Sequence, residues 1–230
     1  MVALLWIGPV VNNELLVDLS TIGSQQASAT EDTNKAVQQL LYYCATYPDD
    51  FILYRSSDLI LTGHSDAGFN NETRALSRAG AHIYFSENES IPHWNEHILT
   101  IAQIIKYVVS SATEAEMTAL FLMAKEMVPL CHTLTEMGWK QPTSLLQSDN
   151  YTPVGMTNCT LIPCKSKSWY LGLNWLRCRE AQEQFHIYWY KGSNNKGDYI
   201  TKHYPIIYHE TKQSMGFSGC VFYPDICIGC

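Results

Sequence analysis

Four acidic side chains stand where regular elements begin or end, and they are the residues with most chemistry to offer. Asp66 closes an apolar run at residues 59–61 that passes into the small-residue stretch Thr62-Gly63-His64-Ser65-Asp66-Ala67-Gly68. Glu116 stands near the start of a helical pattern, Asp149 follows the short run 144–148, and Asp198 opens the segment 198–203. Each has an ordinary structural account. Asp is a common turn residue. Ser111-x-x-Glu114 and Thr113-x-x-Glu116 both fit a capping box, and Asp149 can cap a helix whose first turn holds Thr152-Pro153. Gathered in one crevice, however, four carboxylates would repel one another unless cations were present. Two Mg²⁺ (or Mn²⁺) ions roughly 3.5–4 Å apart suit such a set and serve phosphodiester hydrolysis.

The elements that must position these acids follow from periodicity. Residues 33–45 place Val37, Leu40, Leu41 and Cys44 at helical spacing. Residues 78–86 and 98–109 read as second and third strands after the one ending at Asp66, which suggests an antiparallel meander. Residues 70–77 and 87–96 read as polar connections. Met117, Leu120, Phe121, Ala124, Met127, Val128 and Cys131 form one apolar helical stripe. Pro129 is expected to kink or break that helix before Gly138. If Ser111 is the cap, Glu114 closes the box and Glu116 is left to face the sheet edge.

A strand at 144–148 leads to Asp149-Asn150. A longer helix, 165–183, carries Trp169, Leu173 and Leu176 inward and Lys165, Lys167, Arg177 and Arg179 on a cationic side. Such charges are usually a solvated face, but they can also meet phosphates. Residues 185–190 alternate as a strand, 191–197 form a turn, and 198–203 suggest a short helix ended by Pro205. A mixed sheet with helices on both sides would gather the four acids at one crevice.

The bulk numbers are compatible. The 230 residues are 46% hydrophobic and 16% charged, which describes a globular chain with one sizeable core. A net charge of -7 argues against wrapping nucleic acid by charge alone, though metal ions can supply local positive charge. No apolar run reaches the roughly 18 residues of a membrane span. The opening eight residues lack a basic leader, so no signal peptide is expected. Eight cysteines, five of them inside expected core elements without paired spacing, suggest reduced thiols in an intracellular protein, cytoplasmic or nuclear. Tyr47-Pro48-Asp49-Asp50 imitates the Tyr-x-Asp-Asp hairpin of reverse transcriptases, but a polymerase palm needs far more chain upstream, and Pro-Asp-Asp is an ordinary turn.

Ser65-Asp66-Ala67, Ser110 through Leu120 (SSATEAEMTAL), Ser148-Asp149-Asn150, Trp175 through Gln182 (WLRCREAQ) and Asn195-x-x-Asp198-Tyr199-x-Thr201-Lys202 carry a family likeness. Over residues 19–217 the chain resembles the ribonuclease H domain, with its preceding connection, of a copia-type LTR retrotransposon polyprotein. The resemblance implies an α/β, ribonuclease-H-like mixed five-stranded sheet, three antiparallel strands then two parallel, flanked by helices. It divides the chain into a connection (1–57), the ribonuclease-H-like domain (58–205) and an irregular tail (206–230) with Cys220, Cys227 and Cys230. It implies metal-dependent cleavage of RNA in an RNA–DNA hybrid, with Asp66, Glu116, Asp149 and Asp198 as catalytic metal ligands. Asn150 and the four cations would touch the hybrid, and a reverse transcriptase in the parent polyprotein would be the partner; no membrane is implied.

Tyr170, Gly172 and Asn174 depart from the Asp, Arg and His usual in such sequences, and Gly197 replaces the usual Ala. The turn before Asp198 is too short for the His that many ribonucleases H place there. His186 and His203 are nearby, but their positions are those of a strand residue and a helix-end residue. A catalytically dead relic or nucleic-acid-binding module stays open as an alternative. So does an integrase-like recombinase of the same fold, which usually has three acids at a different spacing.

Overall fold

A computed structural model of the chain describes residues 2–48, 51–161 and 169–202. The sheet follows the expected plan. Strands β1 (Ile60–Glu72), β2 (Leu76–Ser86) and β3 (His97–Ile104) form an antiparallel meander. Strands β4 (Ser144–Ser148) and β5 (Phe185–Trp189) add in parallel on the other side of β1, giving the order β3-β2-β1-β4-β5.

Six helices accompany the sheet among the described residues: α1 (Val2–Val10), α2 (Leu15–Ser24), α3 (Glu31–Thr46), α4 (Ala112–Glu136), α5 (Tyr151–Thr157) and α6 (Tyr170–Ala181). Strand side chains alternate in direction, so the two faces of β1 and β2 carry different residues. Leu61, Ala81, Ile83, Leu146 and Ile187 pack against Met117, Leu120, Met123 and Met127 of α4, Val154 and Met156 of α5, and Leu173 and Leu176 of α6. A Cβ on Gly63 would lie 2.7 Å from Met123 Sδ and 3.0 Å from Met127 Sδ, so the glycine makes room for these two methionines of α4. Thr62, His64 and Asp66 of β1 and Gly80, His82 and Tyr84 of β2 share the opposite face. A 3-10 turn at Lys196–Ile200 and part of the N-terminal segment lie against that side.

Several elements differ from the sequence-based expectation. β1 does not stop at Asp66: it runs on to Glu72 through an irregular register after Gly68, so Asp66 lies inside a strand, opposite Gly80. β3 ends at Ile104, five residues before the expected Val109. Pro129 lies inside α4 without ending it. It is exposed, so the carbonyl that loses its amide partner has water available. Leu41 of α3 is exposed while Leu40 is buried against Leu15, Leu19 and Ile22 of α2. Periodicity in residues 1–57 indicates α3 but neither α1 nor α2. α1 is apolar throughout, and α2 has no side-chain cap at Glu14, so neither carries a start signal.

The N-terminal segment is fastened to the sheet by polar contacts. The His97 ring bonds the Asn13 side chain (3.2 Å) and the Pro9 carbonyl (3.1 Å). The buried Arg78 guanidinium donates to Glu72 at 2.7 Å and to Thr21 at 2.9 Å. Of the eight cysteines, Cys44 and Cys131 are half-buried rather than in the core and Cys159 and Cys178 are exposed, all four as free thiols; the other four lie outside the described residues. Asp49, Asp50, His203 and the tail also lie outside them. Among the described residues no helix is long and apolar enough to cross a membrane.

Candidate active site

Register alone brings two of the acids together. The last pair between β1 and β4 is Ser65 with Ser148. Asp66 and Asp149 are each the next residue along, at the carboxyl end of the parallel β1–β4 pairing, where open α/β sheets place their crevices.

Capping chemistry delivers the third. Ser111 caps α4 by accepting the Glu114 amide (3.2 Å). Glu114 folds back onto Ser110, accepting from its amide (2.7 Å) and hydroxyl (2.6 Å). That is one residue earlier than a strict capping box, with the same result: Glu116 is free of capping duty. It accepts the backbone N–H of Ala67, which lies past the last β1–β4 pair. Asp149 is also released, because Asn150 caps α5 by accepting from the Thr152 amide at 3.0 Å.

Asp66, Glu116 and Asp149 each present a carboxylate oxygen, and these oxygens lie within 4.8 Å of one another. Asp66 and Glu116 are buried and Asp149 half-buried. Burial, then the nearby charges of Asp198 and Asp149, pushes the Asp66 carboxyl up to about 6, against the downward pull of a Thr201 hydroxyl bond. Glu116 is raised well above its ordinary value by burial and by Asp66 and Asp149. Asp149 is raised by burial and by Asp198. One oxygen of Glu116, Oε2, is buried with no hydrogen-bond partner among the described residues. Three hard oxygen donors, mutually repelling and with one lone pair set unused, fit a divalent cation.

Asp198 stands beside this trio rather than in it. The segment around it is a 3-10 turn, Lys196–Ile200, not the expected helix, and Asp198 pairs with Lys202. Burial would lower the Lys202 ammonium, but the Asp198 bond and the charges of Asp66 and Asp149 hold it above its ordinary value. The turn is seated by Asn195, whose amide donates to the Ser65 carbonyl at 2.7 Å and whose side chain also bonds Asp149. Gly197 is required there: a Cβ would lie 2.9 Å from the Asp66 nitrogen.

The expected substrate contacts fare differently. Asn150 borders the crevice as a cap residue. Arg177 is spent on the Met156 carbonyl at the far end of α5, through bonds of 2.9 and 2.7 Å. Arg179 stacks over Trp175 at 4.8 Å and donates to Gln184. Lys165 and Lys167 lie outside the described residues, so the helix expected from 165 is described only as Tyr170–Ala181. His186 is an exposed strand residue facing Glu180. Sequence reasoning missed Tyr151 and Trp189, which border an open cleft of ≈ 500 Å³ with Glu116, Asp149 and Asn150. Their aromatic character was the available signal; for Trp189 the strand pattern at 185–190 absorbed it, and Tyr151 fell between a strand end and a helix start.

An antiparallel three-stranded meander extended by two parallel strands, with helices flanking it and acids just past the last β1–β4 pair, is a ribonuclease-H-like architecture. In sequence, the chain is 23% identical over 171 residues to the Retrovirus-related Pol polyprotein from transposon TNT 1-94 of Nicotiana tabacum. That match takes in 74% of this chain and 12% of the polyprotein, so the chain spans a small part of its relative. No protein-family model matches it. Among solved structures it is similar to LC11-RNase H1 isolated from compost, with a TM-score of 0.47 and 12% identity over 62% of this chain and 92% of that one. A second is the N-terminal RNase H domain of rv2228c from Mycobacterium tuberculosis (TM-score 0.43, 15% identity, 62% and 91% covered). A third is the PFV RNase H domain (TM-score 0.35, 13% identity, 62% and 88% covered).

Proposed function

We propose that this chain is the ribonuclease H part of a copia-type retrotransposon polyprotein and hydrolyses the RNA strand of RNA–DNA hybrids with divalent metal. The observation that supports it best is the convergence of Asp66, Glu116 and Asp149 within 4.8 Å, with Glu116 Oε2 left unpartnered. Asp66, Glu116 and Asp149 would hold Mg²⁺ or Mn²⁺, with Asp198 completing the set at the rim. Two such ions supply a nucleophilic water and stabilise the leaving oxygen of a phosphodiester.

The chain's own residues do the rest. Thr201 donates to Asp66 and favours its ionised form. Asn195 ties the Asp149 carboxylate to the backbone of β1, so the two acids keep their spacing. The Ala67 amide fixes Glu116 through one oxygen and leaves Oε2 without a partner among the described residues. Lys202, drawn by the same charges, neutralises part of the crevice before a phosphate arrives.

The test is cleavage of an RNA-labelled hybrid. The parent should cut in Mg²⁺ and bind without cutting in Ca²⁺, whose looser coordination does not fix water and leaving oxygen. Asp149→Asn should bind at least as tightly and cut at background rate. Cleavage by Asp149→Asn at the parent rate would rule the assignment out.

A further inference from the structure

Resting on that reading, we infer that Trp189 and Tyr151 form an aromatic platform that packs against a nucleotide sugar of the strand held at the acid crevice. Trp189 is 48% exposed and Tyr151 62% exposed, and both line the cleft that opens beside Glu116 and Asp149. The Trp189 ring is not a loose surface side chain. The Trp189 indole N–H donates to the Asp149 carbonyl at 2.9 Å, so the ring is pinned to the backbone of a candidate metal ligand. Tyr151 is the first residue of α5, directly after the Asn150 cap, so the helix start sets its direction.

Charge supplies the reason for such a platform. The chain carries -7 net charge, and the two described cations of α6 are engaged with Met156, Trp175 and Gln184. A nucleic acid gripped without many phosphate contacts must be held by apolar and stacking surface, which every nucleotide offers regardless of sequence. Rings already fixed in place lose little freedom on binding. An intact hybrid keeps its bases stacked, so the flat faces reach ribose in the wide, shallow minor groove.

The experiment measures binding of a fluorescently labelled RNA–DNA hybrid to the full chain in Ca²⁺ across a salt series, with Mg²⁺ cleavage run in parallel. Trp189→Leu and Tyr151→Ser should each weaken binding on the order of tenfold, as loss of the apolar area between a ring and a sugar does. The slope of log affinity against log salt should not change, because a ring releases no counterions. Trp189→Phe and Tyr151→Phe, which keep the faces, should bind within about twofold of the parent. Tyr151→Ser alters an exposed side chain, so it tests the platform even if the Trp189 variant folds poorly.

The outcomes separate this inference from the hydrolase reading. If the parent binds and the variants weaken as stated but nothing is cut in Mg²⁺, the hydrolase reading fails and the platform stands. If the Trp189→Leu, Tyr151→Ser double variant cuts with the parent's KM, the platform is overturned while the hydrolase stands. A parent that does not bind the hybrid at low salt overturns both.

Discussion

Asp66 and His64 are two residues apart on β1, on the same face and both buried, yet they meet opposite fates. Burial favours the neutral form of each. It drives the His64 imidazole down to about 3, with Lys196 adding to the effect, and the Asp66 carboxyl up to about 6. For His64 the neutral form is at home at pH 7: Nδ1 accepts the Lys196 amide at 3.3 Å, which leaves Nε2 to bond the Tyr84 hydroxyl at 3.1 Å. Asp66 shares its crevice with Glu116, Asp149 and Asp198, and at pH 7 this set cannot be both charged and comfortable without a cation. A buried polar residue that is neutral and bonded is architecture. A buried cluster of like charge with an unused oxygen is a candidate cation site.

The largest effect that separates these regions is on stability against pH in the absence of metal. A carboxyl raised in the fold contributes stability that is full below its unfolded value near 4 and is lost as pH rises through about 6. Asp66→Asn removes that loss and keeps an acceptor for Thr201. It should stabilise the metal-free protein at pH 8 on the order of 2–3 kcal/mol, because each tenfold change in proton affinity is worth about 1.4 kcal/mol. At pH 4 the gain should vanish. Denaturant unfolding at the two pH values measures this, and equal destabilisation at both would break the contrast.

Gly197 supports the acid side of the comparison by letting the 3-10 turn touch Asp66. Gly197→Ala forces a Cβ to 2.9 Å from the Asp66 nitrogen and the Ser65 carbonyl carbon. Overpacking of this kind costs about 1–3 kcal/mol, and hybrid cleavage should fall with it because Asp198 and Thr201 ride on the same turn. A variant as stable and active as the parent would show that the turn is not seated against β1. This test has added point because alanine is usual at that position in the sequences the chain resembles.

His64→Gln probes the other side and should give the smallest change at neutral pH. An imidazole lowered in the fold contributes stability that is present above its unfolded value near 6.5 and is lost as pH falls through about 3. Glutamine keeps a donor and an acceptor, so at pH 7.5 the variant should be less stable by about 1 kcal/mol. That deficit should shrink and then reverse as pH is lowered toward 4, because glutamine does not titrate while the parent loses up to about 1.4 kcal/mol for each pH unit below about 6.5. A deficit constant across that range would mean that His64 is not held neutral by burial.

Much of the crevice was legible because its logic is local. The cap residues Ser111 and Glu114 account for themselves and leave Glu116 over. β4 was readable to the residue, and the open question was whether Asp149 is spent as the cap of the helix after it. Asn150 takes that role instead, which releases Asp149. What local signals could not show was tertiary. The sequence 70–72 reads as a loop but is drawn into β1 by pairing of Glu72 with Leu76. Arg177 and Arg179 read as phosphate contacts until α5 and Trp175 are seen to take their guanidiniums. α1 and α2 have no start signals, and the polar bonds of Pro9, Asn13 and Thr21 that fasten them to the sheet span 57 positions or more in sequence.

The central claim is that Asp66, Glu116 and Asp149 are held together for a divalent cation. The most direct measurement is calorimetric titration of the full chain with Mn²⁺ at pH 6.5, in two buffers of different ionisation enthalpy. Metal needs the ionised donors, and Glu116 is raised well above its ordinary value with Asp66 near 6. Binding should therefore release protons, and it should be lost in Glu116→Gln. Absence of Mn²⁺ binding at millimolar metal, or binding without proton release that persists in Glu116→Gln, would contradict the account.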